Sequence, residues 1–593
     1  MTHFLDGLAV WARETPDVVA LRWFGDRGGW LGTVSGRRDG SRVREEVTFA
    51  GLAERVERTA AGLRARGLEP GDRVLFSIRP RPEGVILCLG VLRAGGAVVF
   101  VDPGSTPELF TARIEAAKPR WAATEALLYA ASSGPLRGFA RSRGLLLPDY
   151  GRIPVRHLYA GQWLPGVPRG AGRVADLAAH GPASPAVPDG VPDGAASAAV
   201  PDGTDREALV VFTSGTTSDP KAVVHTARTL GGMLDLFAQV GDLRPGQRAH
   251  TDQMFLGLPA VLAGGTWEIP ARSPQDAPEA FARGVAGADS SFLVPADVTA
   301  LLDVLEARHG QAAAGTGRAR ARPDGGGERR AEGPAVLAVG AAPVTVALLE
   351  RGRRVLPGTR WLAVYGATEI LPAAVTGADE KIAAASSGRL AGDLVGRPLD
   401  GVGARIDTAV PDLDEVPADG GPAVGELVLT GPSLMAGYLA DLDAGRPRAV
   451  EHRTGDLAYR DADGRIVLVG RNRDMIIRGT VNIYPGLFEP RLRELPGVAD
   501  AVMVGVPKPD GDERVVLVVT AQDGPAGEGV PQVRTGTELV RSVEDLVGRV
   551  LDHGALPDLV VEASHVPVAG RSRKPDRRML VDVVSPLAGT VRA

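Results

Sequence analysis

Along most of this chain, short runs rich in β-branched residues alternate with longer runs in which apolar residues recur at helical spacing. Residues 207–212, 335–339 and 360–364 are strand candidates, and residues 43–66 have the helical pattern. This alternation favours an α/β fold, in which helices cover a mainly parallel sheet. We therefore predict layered α/β subdomains with mainly parallel sheets over most of the chain.

The chain is too long for one hydrophobic core, because its 593 residues exceed the ~250–300 residues at which single cores stop growing. After Arg471 the pattern changes to a smaller α+β unit, whose two strand-like runs and one helix fall at residues 501–506, 514–520 and 538–550. We place a boundary near Asp474. This gives a large N-terminal domain (1–473) and a small, mobile α+β C-terminal domain (474–593).

Three stretches have compositions that cannot supply a packed core: residues 181–205, 310–334 and 522–532. The first repeats Val-Pro-Asp-Gly three times, and proline together with Asp-Gly favours turns. The second is rich in Ala, Gly and Arg and has almost no large apolar side chain to bury. We predict that all three are surface insertions and that the first two are flexible.

The formal net charge of −5 argues against a polyanion-binding surface as the main function, so we expect no nucleic-acid partner. The first residues lack the layout of a secretory signal. The longest apolar stretch, residues 84–101, contains Arg93 and two adjacent glycines, whereas a membrane span needs roughly 20 clean residues. It therefore indicates a buried helix followed by a strand. The single cysteine, Cys88, excludes an intrachain disulfide, and we expect a cytoplasmic protein.

The sharpest local feature is a hydroxyl-rich loop directly after the strand candidate at 207–212. It reads Thr-Ser-Gly-Thr-Thr-Ser-Asp-Pro-Lys and spans residues 213–221. Hydroxyl and backbone N–H groups around Gly215 can surround phosphate oxygens, and Lys221 can add a positive charge. The loop is not a Walker A sequence, and taken alone it is equally compatible with an ordinary Ser/Thr turn.

Three further segments favour the phosphate-binding interpretation. Residues 365–369, Tyr-Gly-Ala-Thr-Glu, follow a predicted strand and offer a ring, a hydroxyl and a carboxylate. Residues 454–456, Thr-Gly-Asp, place a carboxylate after a glycine, where it suits two ribose hydroxyls. Residues 470–479, Gly-Arg-Asn-Arg-Asp-Met-Ile-Ile-Arg-Gly, then open the smaller domain.

Taken in this order, the segments resemble the adenylate-forming superfamily, which includes acyl-CoA synthetases, peptide-synthetase adenylation domains and beetle luciferases. The resemblance extends from residues 91–103 to residues 570–578 and so covers nearly the whole chain. It implies the adenylate-forming enzyme fold and ATP-dependent conversion of a carboxylic acid to acyl-AMP with release of pyrophosphate. It also implies ATP and Mg²⁺ as cofactors.

The resemblance implies an ATP site built from separate segments. The hydroxyl-rich loop would close over the β- and γ-phosphates, a small-residue segment would sandwich adenine with Tyr365, and Asp456 and Arg471 would bind the ribose hydroxyls. The phosphate and adenine residues assigned in this way are Thr213, Ser214, Gly215, Thr216, Thr217, Lys221, Gly340, Ala341, Ala342, Gly366 and Ala367.

Three residues would carry the catalysis. Thr368 would contact the α-phosphate, Glu369 would hold Mg²⁺, and Lys574 matches the lysine that enters the site for adenylation. Asp474 matches the hinge residue. These assignments agree with the chemistry, because attack of a carboxylate on the α-phosphorus builds negative charge that fixed cations stabilise.

The chain departs from the superfamily pattern at two places. Ser218 and Ala222 stand where glycine is usual in TSGTTGxPKG, and the added side chains can stiffen or narrow the loop. The last motif usually reads Ser-Gly-Lys, whereas here Arg573 precedes Lys574 and one residue is inserted upstream. Lys574 aligns through residues 576–578, and one more solvated cation in a basic tail is the alternative interpretation.

The second half-reaction has two candidate acceptors. Residues 479–489 resemble the segment that faces the site of thioester-forming members after the small domain rotates. This favours transfer to a thiol, either CoA or the phosphopantetheine of an acyl carrier protein. Residues 100–104 and 365–372 instead resemble the olefin-pathway β-lactone synthetases and their fatty-acyl ligase relatives. There a 3-hydroxy acid is adenylated and its own hydroxyl displaces AMP, which is our second hypothesis.

We expect the acyl pocket within residues 250–269, with Met254, Phe255 and Gly257 as candidates. A core helix packed on the sheet explains the same pattern. The apolar character favours a fatty or other hydrophobic carboxylic acid as the small-molecule substrate. An amino acid is disfavoured, because no acidic partner for its ammonium group stands out apart from Asp252, which the sequence cannot place.

A hypothesis of another class is a pseudoenzyme that binds nucleotide without turnover. The altered phosphate loop supports it, whereas Thr368, Glu369, Asp456, Arg471 and Lys574 argue against it. The nine histidines show no metal-ligand spacing. His225, which follows the phosphate loop, is predicted to have a structural hydrogen-bonding role.

Overall fold

A computed structural model describes most of the chain. The described residues are 4–25, 42–101, 107–142, 147–179, 203–213, 221–314, 332–342, 344–387, 393–409, 423–471, 476–478, 481–483, 485–508, 512–522, 529–551, 555–569 and 574–588.

The larger of two main sheets carries most of the segments that the sequence singles out. Its thirteen described strands are, in spatial order, Gly403–Asp407, Gly425–Thr430, His452–Arg460, Ile466–Arg471, Asp393–Pro398, Ile370–Gly377, Arg360–Ala367, Val336–Val339, Ser290–Leu293, Arg248–His250, Thr266–Ile269, Val19–Trp23 and Glu45–Thr48. The strands from Arg360–Ala367 through Val19–Trp23 in this order pair in parallel. The strand Val336–Val339 within this run is wholly apolar and buried, as expected where helices cover both faces of a sheet.

The second main sheet carries the two strands that flank the hydroxyl-rich loop. In spatial order its described strands are Gly437–Tyr438, Lys221–Thr226, Glu207–Thr213, Ala97–Phe100, Arg73–Ser77, Trp121–Glu125, Arg156–Ala160 and Gly172–Arg173. The helix Ala227–Gly241 contacts strands of both sheets and buries Leu230, Leu234 and Leu236 between them. Its first turn is closed by a capping box, in which Thr226 and Thr229 satisfy each other's backbone N–H groups.

Helices cover the faces of the sheets. The described α-helices are Asp6–Glu14, Phe49–Ala65, Pro82–Arg93, Pro107–Ala117, Ala126–Ser132, Arg137–Ser142, Ala227–Gly241, Met254–Leu262, Pro278–Val285, Pro295–Ala314, Val346–Val355, Ala378–Ser386, Leu439–Asp443, Pro485–Leu492, Glu538–Val547 and Arg577–Ala588. Cys88 is fully buried in the helix Pro82–Arg93. Within the described part of the chain, no helix has the length and apolar character needed to cross a bilayer.

The residues after Arg471 form a separate four-stranded sheet in the order Val498–Pro507, Glu513–Ala521, Leu559–Ala563 and Val533–Arg534. One face of this sheet buries the helices Pro485–Leu492 and Glu538–Val547, and the other face buries Arg577–Ala588. Two short ladders accompany it, Ile476–Arg478 with Val481–Ile483 and Val568–Ala569 with Lys574–Pro575. The chain thus has a large α/β portion and a small α+β portion, as predicted. Asp474 lies outside the described residues, so the boundary itself stays a prediction.

The structure differs from the sequence prediction in two local respects. Residues 43–66 were predicted to be helical, but Glu45–Thr48 is an edge strand that pairs with Val19–Trp23, and the helix begins at Phe49. Thr48 ends the strand because its hydroxyl accepts the Gly51 N–H and caps the helix. The insertion predicted from Gly310 begins later, since the helix Pro295–Ala314 includes its first residues. Most of the three predicted insertions lies outside the described residues.

Candidate active site

Two antiparallel strands flank the hydroxyl-rich loop. Thr213 and Lys221 lie opposite each other in the register of Glu207–Thr213 and Lys221–Thr226. The loop residues Ser214, Gly215, Thr216 and Thr217 lie outside the described residues. Lys221 is exposed, and its Nζ lies 4.8 Å from the centre of the Tyr438 ring. A cation over an aromatic face is attracted by the ring's electron density, so Tyr438 helps to orient this lysine.

Thr368 and Glu369 form the two-residue turn of a β-hairpin in the larger sheet. The preceding strand, Arg360–Ala367, includes Gly366 and Ala367, so the segment 365–369 does not simply follow a strand. Ala367 pairs with Ile370 across the turn. A short turn of this kind limits the positions that the two polar side chains can take.

Two strands of the second sheet, and the residues just before its edge strand Gly437–Tyr438, hold this turn through several contacts. Nε2 of His225 lies 2.9 Å from the carbonyl oxygen of Thr368, and the Met435 N–H donates to the carbonyl of Glu369 at 2.7 Å. The Tyr438 hydroxyl donates to Oε1 of Glu369 at 2.8 Å. Burial lowers the pKa of His225 and so favours the neutral ring. Because a carbonyl oxygen can only accept, Nε2 is the donor in this contact. The predicted hydrogen-bonding role of His225 is confirmed.

Glu369 has a carboxylate that suits Mg²⁺. Hard cations prefer oxygen ligands, and Mg²⁺ in nucleotide sites is usually held by one or two carboxylates together with phosphates. Nε2 of His452 lies 3.9 Å from Oε2 of Glu369, and burial lowers the pKa of His452, which favours its neutral form. Among the described residues, no three His, Cys, Asp or Glu side chains are clustered for metal binding. The single carboxylate of Glu369 therefore fits a Mg²⁺ ion whose other ligands would come mainly from the nucleotide phosphates.

Tyr365 and Asp456 lie on strands of the same sheet that three other strands separate, yet their side chains are in contact. The Tyr365 hydroxyl donates to Oδ2 of Asp456 at 2.6 Å. Asp456 is 8% exposed, and its N–H donates to Oγ1 of Thr454 at 3.1 Å. Its partner across the ladder is Arg471, so the two proposed ribose-binding residues occupy facing positions on adjacent strands.

The small-residue segment 340–342 follows the strand Val336–Val339, which pairs in parallel with the strand of Tyr365. A Cβ on Gly340 would lie 3.0 Å from both Phe292 Cζ and the Val364 carbonyl, so this position has little room for a side chain. Ala341 adopts a φ of 66°, in the left-handed region. The segment 340–342 therefore lies at the same edge of the sheet as Tyr365. A flat ligand held between this segment and the Tyr365 ring would require that arrangement.

The two remaining sequence candidates near the small domain are only partly described. Lys574 begins the short strand Lys574–Pro575, where it pairs with Ala569. The hinge candidate Asp474 lies outside the described residues.

The acyl-pocket candidates lie on the helix Met254–Leu262. Met254 is 6% exposed and belongs to the core. Phe255 is half-buried and contacts Phe100 edge to face, with ring centres 5.5 Å apart. A Cβ on Gly257 would lie only 1.9 Å from the Trp267 ring, so Trp267 occupies the space where a side chain would project. Of the three candidates, only Phe255 has a partly exposed apolar side chain that a substrate could contact. Met254 and Gly257 pack in the interior.

The structure also places Asp252, which the sequence could not. Burial raises the pKa of Asp252, and its Oδ1 has no hydrogen-bond partner among the described residues. Asp297, 5% exposed, lies in the first turn of the helix Pro295–Ala314. Burial, reinforced by the nearby Asp252 carboxylate, raises the pKa of Asp297 to about 6. These two carboxyl groups are electrostatically coupled and hold protons more readily than exposed aspartates do.

Sequence reasoning missed Tyr438 and His452. Tyr438 belongs to the two-residue strand Gly437–Tyr438, and no local pattern distinguishes it from an ordinary packed tyrosine. His452 begins the strand that carries Asp456, and a search for metal-ligand spacing could not detect it because the adjacent Glu369 is not near it in the sequence. Both are recognised through their contacts with Glu369, a residue far away in the sequence.

Together these residues place a cation, a carboxylate and a ring–carboxylate pair where two sheets meet. The arrangement can neutralise phosphate charge at Lys221, offer oxygen ligands at Glu369 and accept hydroxyl groups at Asp456. No nucleophilic side chain is needed for a reaction in which a substrate carboxylate attacks phosphorus, because the enzyme's task is to position the reactants and stabilise charge.

The profile of one protein family, described as AMP-binding enzyme, matches residues 8–439. An olefin beta-lactone synthetase of Xanthomonas campestris pv. campestris is 28% identical over 595 residues, which cover 95% of each chain. A fatty acid–[acyl-carrier-protein] ligase, ScoC of Streptomyces coeruleorubidus, is 28% identical over 81% of this chain and 82% of its own.

Among solved structures, the amide bond synthetase McbA from Marinactinospora thermotolerans superposes with a TM-score of 0.68. The match covers 98% of this chain and 99% of McbA at 23% sequence identity. At this level of identity the likeness concerns the fold, which extends over the full length of both chains.

Proposed function

Because this chain belongs to the AMP-binding enzyme family and is an AMP-forming acid–thiol ligase, we propose that its substrate is a fatty acid or another hydrophobic carboxylic acid. The acid is converted to acyl-AMP with release of pyrophosphate, and the acyl group then passes to a thiol. The observation that carries the proposal is the position of Tyr438, which contacts both Lys221 and Glu369. It brings the cation of the phosphate loop to the carboxylate of the Thr368–Glu369 turn.

Each nucleotide group has a proposed partner. The loop from Thr213 to Lys221 binds the β- and γ-phosphates, and Thr368 contacts the α-phosphate. Adenine lies between the segment 340–342 and the Tyr365 ring. Asp456 and Arg471 bind the ribose hydroxyls, and the hydrogen bond from Tyr365 fixes one oxygen of Asp456.

In the first half-reaction, a carboxylate oxygen of the acid attacks the α-phosphorus, and the bond to the pyrophosphate oxygen breaks. Glu369 would hold Mg²⁺, which when bound neutralises charge on the phosphates. Lys574 donates to the phosphoryl oxygens as their negative charge grows. In the second half-reaction, a thiolate attacks the acyl carbonyl carbon and AMP leaves with the electron pair of the broken C–O bond.

The proposed preference for an apolar acid rests on the surroundings of Phe255. Its ring contacts Phe100, which lies against Phe76 with ring centres 5.4 Å apart, so aromatic rings of the helix and the second sheet adjoin. Apolar walls of this kind favour burial of an alkyl or aryl group. CoA and the phosphopantetheine of a carrier protein are the proposed acceptors.

A second candidate is closure of an adenylated 3-hydroxy acid to a β-lactone. The observation that favours it is the match over 95% of both chains to a protein named olefin beta-lactone synthetase. In this reaction the substrate's own 3-hydroxyl attacks the activated carbonyl and AMP leaves, so no thiol is consumed.

The deciding experiment is pyrophosphate release by the purified protein with Mg-ATP and fatty, 3-hydroxy-fatty or aryl acids, with and without CoA. A stoichiometric burst that becomes sustained turnover only when CoA or a carrier protein with a free phosphopantetheine thiol is added supports the ligase. Sustained turnover without a thiol, confined to 3-hydroxy acids, supports the lactone synthetase. Nucleotide binding without pyrophosphate release under any of these conditions contradicts both and leaves a pseudoenzyme. A Glu369→Gln variant serves as the inactive control.

A further inference from the structure

Arg577 and Glu489 form a nearly buried ion pair in the small α+β portion. Nη1 of Arg577 donates to Oε1 of Glu489 at 2.7 Å, and Nη2 donates to Oε2 at 3.1 Å. The side chains are 17% and 6% exposed. A two-point contact between a planar guanidinium and a carboxylate fixes orientation as well as distance, which a lysine in place of the arginine cannot do.

Both side chains of the ion pair also form hydrogen bonds with the backbone at the edge of the small sheet. Nη1 of Arg577 also donates to the Met503 carbonyl at 2.7 Å, and the Met503 N–H donates to Oε1 of Glu489 at 2.8 Å. Met503 belongs to the strand Val498–Pro507, which has a strand neighbour on one side only among the described residues. The ion pair therefore satisfies both backbone polar groups of Met503. Four hydrogen bonds, and not charge alone, thus define the position of the ion pair.

The ion pair connects two segments that lie on opposite faces of the small sheet. Glu489 lies in the helix Pro485–Leu492, which packs on one face, and Arg577 begins the helix Arg577–Ala588, which packs on the other. Arg577 follows Lys574 by three residues. Between them, the Asp576 N–H donates to the Pro567 carbonyl at 2.7 Å, and Oδ1 of Asp576 caps the helix by accepting the Met579 N–H at 3.0 Å.

We infer that the Glu489–Arg577 pair is a positioning device for Lys574. It ties the backbone of the Lys574–Pro575 strand, through the start of the following helix, to the segment 479–489. In the proposed function Lys574 serves the first half-reaction, and the segment 479–489 resembles the one that faces the site in the second. The inference rests on that function, since it takes Lys574 as the lysine of adenylation. Arg577 acts through Lys574 and touches no substrate.

The test is a double-mutant cycle on acid-dependent pyrophosphate release by the full-length protein. Arg577→Lys keeps a charged pair but loses the two-point contact, so the small portion stays folded. We expect kcat to fall ~10–100-fold while KM for ATP changes less than about threefold, because small misplacements of a reacting group have effects of this size. Added to Lys574→Ala, the same change should cause no further loss. Losses that multiply would overturn the inference, because they would mean that the pair acts independently of Lys574.

A matched control comes from another ion pair of the same portion. Nζ of Lys508 lies 2.5 Å from Oδ2 of Asp512, at the end of the hairpin formed by Val498–Pro507 and Glu513–Ala521. Lys508→Gln should leave kcat unchanged. A loss equal to that of Arg577→Lys would assign both effects to general destabilisation and overturn the inference.

Amide hydrogen exchange provides a readout that does not depend on catalysis. In Arg577→Lys and in Glu489→Gln, the amides of Lys574 and Asp576 should exchange faster than in the wild type, while those of Glu513–Ala521 should not change. If the wild type releases no pyrophosphate with any acid, the proposed function fails and this measurement alone judges the ion pair. Unchanged exchange at Lys574 and Asp576 would then refute its positioning role.

Discussion

At the scale of single residues, Tyr438 joins the parts of the candidate site. Its ring lies under Nζ of Lys221, and its hydroxyl donates to Glu369, 69 positions earlier in the sequence. The two contacts use different parts of the side chain. Substitution by phenylalanine can therefore remove the hydrogen bond to Glu369 while it retains the ring beneath the lysine.

We expect Tyr438→Phe to raise the Mg-ATP concentration needed for half-maximal pyrophosphate release by about 10-fold or more. A hydrogen bond to a charged group contributes ~1.5–3 kcal/mol, and its loss leaves Glu369 free to turn away from the phosphates. The measurement is the rate of pyrophosphate release against Mg-ATP concentration. Tyr459→Phe, which removes a hydroxyl from the strand His452–Arg460 of the larger sheet, is the control. Equal Mg-ATP dependence in the two variants would contradict the role of Tyr438.

At the scale of secondary-structure elements, the helix Met254–Leu262 is fixed by the close approach of Gly257 to Trp267. Trp267 is fully buried in the strand Thr266–Ile269, and its indole N–H donates to the Thr251 carbonyl at 2.8 Å. The indole therefore cannot shift without breaking a buried hydrogen bond. This packing determines how the helix presents Phe255 beside Phe100.

Gly257→Ala should lower the free energy of unfolding by about 1–3 kcal/mol, because a methyl group forced into a packed interior displaces its neighbours. Urea unfolding followed by tryptophan fluorescence measures the change. Gly7→Ala is the matched control, since Gly7 lies in the helix Asp6–Glu14 with no atom within 4 Å of an added Cβ. That change should be neutral or stabilising by up to about 1 kcal/mol. Equal effects of the two substitutions would show that Trp267 does not restrict position 257.

At the scale of the whole molecule, stability should depend on pH through Asp297. Its pKa is raised from 3.8 to about 6, so between these values the folded chain binds more protons than the unfolded chain. The contribution of Asp297 to stability is therefore fully present below pH 3.8 and is lost as the pH rises through about 6. At pH 8 the buried carboxylate is ionised and opposes folding.

Asp297→Asn should raise the free energy of unfolding at pH 8 by about 1–3 kcal/mol, at 1.36 kcal/mol for each pKa unit. The gain should shrink steadily as the pH falls to about 4, where the wild-type carboxyl group binds its proton in the folded state. Thermal unfolding across this range measures the difference. Glu350→Gln, which removes an exposed carboxylate from the helix Val346–Val355, should show no such trend. A gain that is independent of pH would contradict the assignment to Asp297.

The order of the motifs and the residue types within them were enough to predict the α/β class, the AMP-binding family and most segments of the candidate site. The strand at 207–212, the buried helix followed by a strand at 84–101, and the small α+β portion could be predicted because burial and backbone preference leave local periodic patterns. The helix predicted over 43–66 was wrong at its start, because pairing with Val19–Trp23 converts Glu45–Thr48 into a strand.

The contacts that complete the site depend on which strands become neighbours, and no local window of sequence contains that information. His225 and Thr368 are 143 positions apart, Tyr365 and Asp456 are 91 apart, and Glu489 and Arg577 are 88 apart. The raised pKa of Asp297 likewise needs burial beside Asp252, which the packing of separate elements creates. The sequence by itself thus determined the chemical groups and their order. Only the tertiary structure decided their partners, because strand order and packing bring distant residues within hydrogen-bonding distance.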